Sequence, residues 1–233
     1  MRCRTTLLIV LLPLAVSDML LAQGARKAPI DRGSLCVTEG DIGTDSASHL
    51  TVESTKMRAY VNKWTSDSIE ARFTYLGGTQ EASRLGSGEI RRQFGLKLRA
   101  ENACNLIYAM WRIEPESKVV VSIKKNPGQT MSSECGNRGY QNIKPQHAAP
   151  VPMPRPGETH TLAASLRANR MTVSIDGRPV WEGDLGPQAV DLKGPLGIRS
   201  DNVRLALDLA AGAPSGMHPD FRVACKSGPG VSD

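Results

Sequence analysis

Aromatic residues are scarce in this 233-residue chain: three Phe, three Trp and four Tyr make up 4% of it. So few rings argue against a long stacking cleft for neutral glucans. No stretch reaches the ~20 apolar residues of a membrane-spanning helix, which excludes a polytopic membrane protein. No C-x-x-C pair occurs, so zinc ribbons and thioredoxin-like redox chemistry lack their ligands. The four histidines, His49, His147, His160 and His218, have no spacing that seats two of them on one metal. G-x-S-x-G, P-loop and G-x-G-x-x-G motifs are all missing, which removes the hydrolase elbow and the nucleotide cradles. The basic excess is modest, 29 Lys and Arg against 23 Asp and Glu, or +6. That is well short of a dedicated nucleic-acid binder, and no nucleic-acid partner is expected. What remains, 40% hydrophobic and 22% charged, is globular and long enough to bury a core.

The first 24 residues read as a secretory signal peptide. Arg2 and Arg4 form a basic start, Leu7 to Val16 an apolar run, and Ala22-Gln23-Gly24 a small-residue cleavage site. The expected location is secreted or periplasmic, without a stable membrane span. Cleavage would also remove Cys3 and leave an even set: Cys36, Cys104, Cys135 and Cys225. In an exported protein these read as two disulfides. We expect Cys104 with Cys135, tying down a long loop, and Cys36 with Cys225, joining the ends of the domain.

Beyond the signal peptide the apolar pattern has a period of two. Ile69, Ala71, Phe73 and Tyr75 alternate with polar residues, as do Phe94, Leu96 and Leu98. Ile107, Ala109, Trp111 and Ile113 share one side of the next run, and Val119, Val121 and Ile123 one side of the run after it. Each is a strand with one buried face. Further strand-like runs fall at 161–166, 171–175, 179–181, 194–198 and 203–209, and Asp176-Gly177 between two of them is a strong hairpin signal. No sustained helical period follows the signal peptide. The fold expected is all-β, an antiparallel β-sandwich or jelly roll, with one domain over 25–210. Residues 125–158 read as a long loop and 211–233 as a Gly/Pro/Ser-rich tail.

Four segments carry a resemblance. They are His160 to Leu162, Met171 to Gly177 (MTVSIDG), Val180 to Gly183 (VWEG) and Gly194 to Asn202 (GPLGIRSDN). Their succession resembles the concanavalin A-like lectin/glucanase superfamily, including laminin-G-like jelly rolls, in a bacterial secreted variant. The resemblance covers about 50–209. It implies the sandwich fold; for activity it implies lectins, glycosidases, lyases or adhesion modules alike.

The residues themselves suggest which chemistry to look for. Glu39-Gly40-Asp41 and Glu182-Gly183-Asp184 each lack the third acid of a retaining glycosidase, which argues against that reaction here. On the strand faces opposite the core, alternation gathers Arg91, Gln93, Lys97, Arg99, Tyr108, Arg112 and Lys124, and the long loop adds Tyr140. This is a basic field with hydroxyl donors, suited to an anionic glycan, although the same pattern also marks the wet side of a sheet. The leading expectation is a non-catalytic module recognising a glycan or polysaccharide, an acidic one for preference. The enzyme alternative is a polysaccharide lyase, with Tyr108, Tyr140 or His147 moving the proton and Arg99 or Arg112 neutralising a uronate. A structural or adhesive envelope protein is the third class. Trp111 and Trp181 read as core, and Trp64 as an exposed aromatic. Asp201 and Asn202 could supply oxygen ligands to a structural Ca²⁺, or simply stabilise a turn; no other cofactor is expected.

Overall fold

A computed structural model of the protein describes residues 27–62, 64–217 and 225. The expected signal peptide, the side chain of Trp64 and most of the expected tail lie outside the described residues. Two antiparallel sheets form a β-sandwich, as the alternation implies. One sheet runs in spatial order His147–Ala148, Arg178–Asp184, Arg170–Ile175, Thr159–Arg167, Ser68–Gly78, Val203–Ala211, Leu50–Val52 and Gly43–Thr44, with Ala28–Ile30 also paired to Val203–Ala211. The other runs Tyr140–Asn142, Lys118–Lys124, Leu106–Glu114, Arg92–Leu98, Gly197–Asp201, Lys56–Val61 and Leu35–Glu39.

The core lies between the sheets and is built from the apolar members of each alternation. In Ser68–Gly78 the residues Ile69, Ala71, Phe73 and Tyr75 are buried, and Phe94, Leu96 and Leu98 meet them from the facing sheet. Phe73 joins the two layers, with its ring centroid 5.1 Å from Phe94 and 5.6 Å from Trp111. Trp111 and Trp181 are both core residues. The Trp111 indole N–H donates to the Ser117 hydroxyl at 3.0 Å, so a large ring is buried without orphaning its one donor. Asp176 and Gly177 make the hairpin turn with φ of 51° and 77°, the positive values that a type I′ turn requires.

Three differences from the sequence reading position the site. The amino-terminal segment contributes strands to both sheets, including Leu35–Glu39 and Lys56–Val61. Residues 199–201, expected in a turn, continue the strand Gly197–Asp201, and only Asn202 turns the chain, at φ 57°. The long loop is not strand-free. Tyr140–Asn142 adds to the edge of the seven-stranded sheet and His147–Ala148 to the edge of the other, so this segment crosses the side of the sandwich. Strands of two or three residues are too short to show a period, which is why the sequence conceals them.

Both disulfides pair as expected, Cys36 with Cys225 and Cys104 with Cys135. The first fastens a residue of the carboxy-terminal segment to Leu35–Glu39. Gly216–Met217 pairs with Trp64–Thr65 in a separate two-stranded sheet.

Candidate functional site

The seven-stranded sheet turns a second face away from the core, and its pairing register arranges that face in rows. Tyr60, Gly197, Lys97, Tyr108 and Ser122 lie side by side on successive strands. The next row holds Arg58, Arg199, Gly95 and Met110, and the one beyond it Lys56, Asp201, Gln93 and Arg112. In the other direction Lys124 and Tyr140 are paired to each other. Side chains from strands far apart in sequence thus form one basic surface.

That surface is not the wet side of a sheet. Gln93, Lys97, Tyr108, Ser122 and Lys124 are all buried, because two loops fold over them. One is 125–139. The Cys104–Cys135 disulfide anchors it, as do hydrogen bonds from Asn105 Nδ2 to the Gln129 carbonyl (2.8 Å) and from Lys124 Nζ to the Gly136 carbonyl (2.8 Å). The other is 79–91, which Asn202 clamps by accepting from the Ser83 amide (2.7 Å) and donating to the Ser83 and Arg91 carbonyls (both 2.9 Å). A Cβ placed on Gly86 would lie 3.4 Å from Asn137 Cβ, so the two loops meet over the sheet. On one side of this bridge is a pocket of about 910 Å³, with Arg58, Tyr60, Lys97, Tyr108, Lys124 and Arg199 among its lining residues. On the other side is a smaller one of about 220 Å³, bordered by Arg91, Gln93, Arg112 and Arg199.

Lys97 is the most unusual group of the larger pocket. It is 0% exposed, its Nζ has no hydrogen-bond partner, and it sits 3.7 Å above the centroid of the Tyr60 ring. Burial, with Arg58 and Arg199 nearby, holds its amine well below the usual lysine range. Gly197 makes this placement possible: a Cβ there would sit 3.1 Å from Lys97 Cδ and 2.4 Å from the Ala59 carbonyl oxygen. Lys124 is brought down to about 8 by burial and by the same two arginines. Its Nζ donates to the Ala103 and Gly136 carbonyls and lies 5.1 Å from the centroid of the Tyr140 ring.

Arg58 and Arg199 are ordered by Asp201, which is fully buried. Arg58 Nη2 donates to Oδ1 at 2.6 Å, while Gln93 Nε2 (2.7 Å) and Arg199 Nε (2.9 Å) donate to Oδ2. Burial works against this carboxylate, but Arg199 and Arg58 prevail and keep its pKa below the ordinary value. The Asp201 oxygens are therefore committed to donors and the Asn202 oxygen to Ser83. In this arrangement Asp201 positions the two arginines and Asn202 clamps the 79–91 loop. No group of three or more His, Cys, Asp or Glu suited to a metal occurs among the described residues.

The tyrosines complete the floor and rim. Tyr108 is buried and its ring stacks on Tyr140 at 6.0 Å between centroids, with the Arg199 guanidinium 5.2 Å from its own centroid. Arg199 Nη1 donates to the Tyr140 hydroxyl at 3.2 Å. Burial pushes the Tyr108 and Tyr60 phenols upward, so both stay protonated at neutral pH.

Of the expected site residues, Gln93, Lys97, Tyr108, Arg112, Lys124 and Tyr140 meet at these pockets, and Arg91 borders the smaller one. Arg99 does not join them. The strand ends at Leu98, Arg99 adopts φ 46°, and its guanidinium donates instead to the Ala189 and Ala168 carbonyls at 2.9 and 3.0 Å. His147 is also elsewhere, exposed on an edge strand of the opposite sheet. The sequence reading missed Arg58, Tyr60 and Arg199. The first two had a visible signal, since Lys56, Arg58 and Tyr60 alternate with Met57, Ala59 and Val61. Arg199 lay in a run expected to turn.

No protein-family model matches the chain, and no curated protein matches it. Solved structures do share the fold. A carbohydrate-binding module, CBM66 from Bacillus subtilis, superposes with a TM-score of 0.53 at 14% identity, covering 75% of this chain and 91% of that one. A Bacillus subtilis protein of unknown function with a galectin-like fold gives 0.50 at 11%, covering 79% and 91%. The chain is thus an antiparallel sandwich of the jelly-roll kind seen in carbohydrate-binding modules and galectins.

Proposed function

We propose that this protein is a secreted, non-catalytic carbohydrate-recognition module that binds an acidic glycan in the pocket over the seven-stranded sheet. The observation that carries this reading is Lys97: a lysine amine, fully buried and without a hydrogen-bond partner, at the wall of a pocket that also holds Arg58, Lys124 and Arg199. Burying such a group unpaired opposes folding, and a carboxylate or sulfate drawn to Lys97 and its neighbouring arginines would supply an acceptor. Tyr140, the exposed ring among the three tyrosines, offers surface for the sugar body, and a pocket of about 910 Å³ suits a ligand of a few sugar rings. The shared fold supports the sugar-binding class, the charge supports the acid. Two disulfides, and the lack of a helix long and apolar enough to cross a membrane among the described residues, are compatible with an extracellular setting.

Electrophoresis in gels containing polygalacturonate, alginate or chondroitin sulfate, against a neutral glucan, tests the reading. Retardation by an acidic polymer alone, weakened at high salt and abolished by Lys97→Met, is the expected result. Retardation by the neutral polymer alone, or by none, would reject it. The same incubations monitor ultraviolet absorbance from unsaturated sugar ends; its appearance would transfer the site to lyase chemistry.

A further inference from the structure

The larger pocket does not use all of the positive charge on this face. Beyond the loop bridge at Gly86 and Asn137, the smaller pocket brings Arg91, Arg112 and Arg199 around about 220 Å³, with Gln93 at its floor. The Arg112 Nε is buried and has no hydrogen-bond partner. Arg91 is paired with Glu89, and Gln93 is committed to Asp201. The buried donor that lacks an acceptor here is therefore the Arg112 Nε. Burial, and then the nearby Arg91, hold its guanidinium below the usual arginine range, so a bound anion would relieve both.

The two pockets are continuous in their floor and roof. Tyr108, Arg199 and Tyr140 border both, as do Leu85, Gly86 and Asn137. Lys97 and Gln93 lie on one strand, four residues apart, which sets their rows about 13 Å from each other along the sheet. Arg58 and Arg199 occupy the row between. The larger volume falls inside the ordinary range for small-ligand sites, roughly 300–1,000 Å³, and the smaller one below it. The smaller pocket therefore fits an acidic substituent better than a second whole ligand.

We propose that the two pockets take successive acidic groups of one polyanionic glycan, so that the ligand carries carboxylates or sulfates on more than one sugar residue and lies along the strands with Arg199 between its anions. This rests on the glycan-binding reading above and adds to it the spacing and multiplicity of charge. A single acidic sugar would satisfy Lys97 and leave the Arg112 Nε without an acceptor. A chain with repeated acids satisfies both.

Calorimetric titration of the full chain with galacturonic acid and with di-, tri- and hexagalacturonate provides the carboxylate arm; chondroitin sulfate di-, tetra- and hexasaccharides provide the sulfate arm. In the arm that holds the natural chemistry, affinity is expected to rise about tenfold or more from the shortest to the longest ligand. Arg112→Gln should remove most of that rise and affect the shortest ligand far less, whereas Lys97→Met should weaken every ligand. Arg91→Gln repeats the test at the border of the same pocket, and circular dichroism verifies that each variant is folded. Affinity that is flat with length, or a length effect indifferent to both arginine variants, would overturn this proposal while leaving the glycan-binding reading in place. Failure of the wild type to bind any acidic ligand overturns both.

Discussion

Lys97→Met separates stability from recognition, because the two should move in opposite directions. The lysine stem is packed on Gly197 and its amine on the Tyr60 ring, so methionine, of similar length, keeps most of the packing. What it removes is a buried polar terminus with no hydrogen bond. Taking an ammonium out of water costs several kcal/mol, and the contact with the Tyr60 face returns about 0.5–2 kcal/mol. The substitution should therefore stabilise the fold by about 1–3 kcal/mol, or about 3–8 °C in Tm for a domain of this size. The pH dependence gives a second handle. Because the amine is depressed in the folded state, the unfolded chain holds the extra proton, and wild-type stability rises with pH until the unfolded lysine titrates near ~10.4. The gap between variant and wild type should thus narrow as pH rises from neutral towards that value. Calorimetric melting from pH 7 to 10.5, with glycan titration alongside, checks both limbs. A variant that melts lower than wild type at pH 7, or one that binds acidic glycan as well as wild type, would refute the reasoning.

Arg199→Ala should cost about 3–5 kcal/mol, since it leaves the buried Asp201 carboxylate with one of its two arginines gone; chemical denaturation measures the loss, and a cost under 1 kcal/mol would mean that Arg58 and Gln93 suffice. Affinity for an acidic glycan should fall as pH rises through about 8, because Lys124 loses its proton there and the anion binds the charged form. Titrations at pH 6.5 and 9 read this directly, and equal affinities would exclude a contribution from Lys124. Replacing Cys104 and Cys135 together by Ser should lower stability by about 3–4 kcal/mol and weaken glycan binding about tenfold or more, because the loop they tether carries one wall of the pocket. Binding that survives unchanged would show that the wall is held by its hydrogen bonds alone.

The comparison with CBM66 and the galectin-like protein concerns the arrangement of strands, not the residues on them. At 14% and 11% identity the superposed frames carry different side chains, and the binding chemistry of this chain has to be argued from its own lysines, arginines and tyrosines. The feature that does so is burial. A basic face that stayed solvated would call for no special account, whereas here the Lys97 amine and the Arg112 Nε are buried without hydrogen-bond partners.

Sandwich, core and cysteine pairing were legible in the sequence because each depends on local or countable features. A period of two assigns Phe94, Leu96 and Leu98 to one side of a strand and Gln93 and Lys97 to the other, wherever that strand ends up. With the expected signal peptide set aside, four cysteines leave only three pairings, and Asp176-Gly177 carries its turn in its own dihedral preferences. Alternation also placed Lys97, Tyr108 and Lys124 on one face. It could not say what lies above that face. The covering loops 79–91 and 125–139 are held there by Asn202 and by the Cys104–Cys135 link, contacts between residues distant in sequence. Arg99 follows the same alternation as Lys97 yet leaves the site, because one positive φ ends the strand before it. Arg58 and Arg199 enter the site only through strand pairing across the sheet, with Asp201 as their shared anchor. Sequence period decides which side a residue faces. Tertiary structure alone decided whether that side meets water or a pocket, because a residue's solvation depends on neighbours the chain brings in from elsewhere.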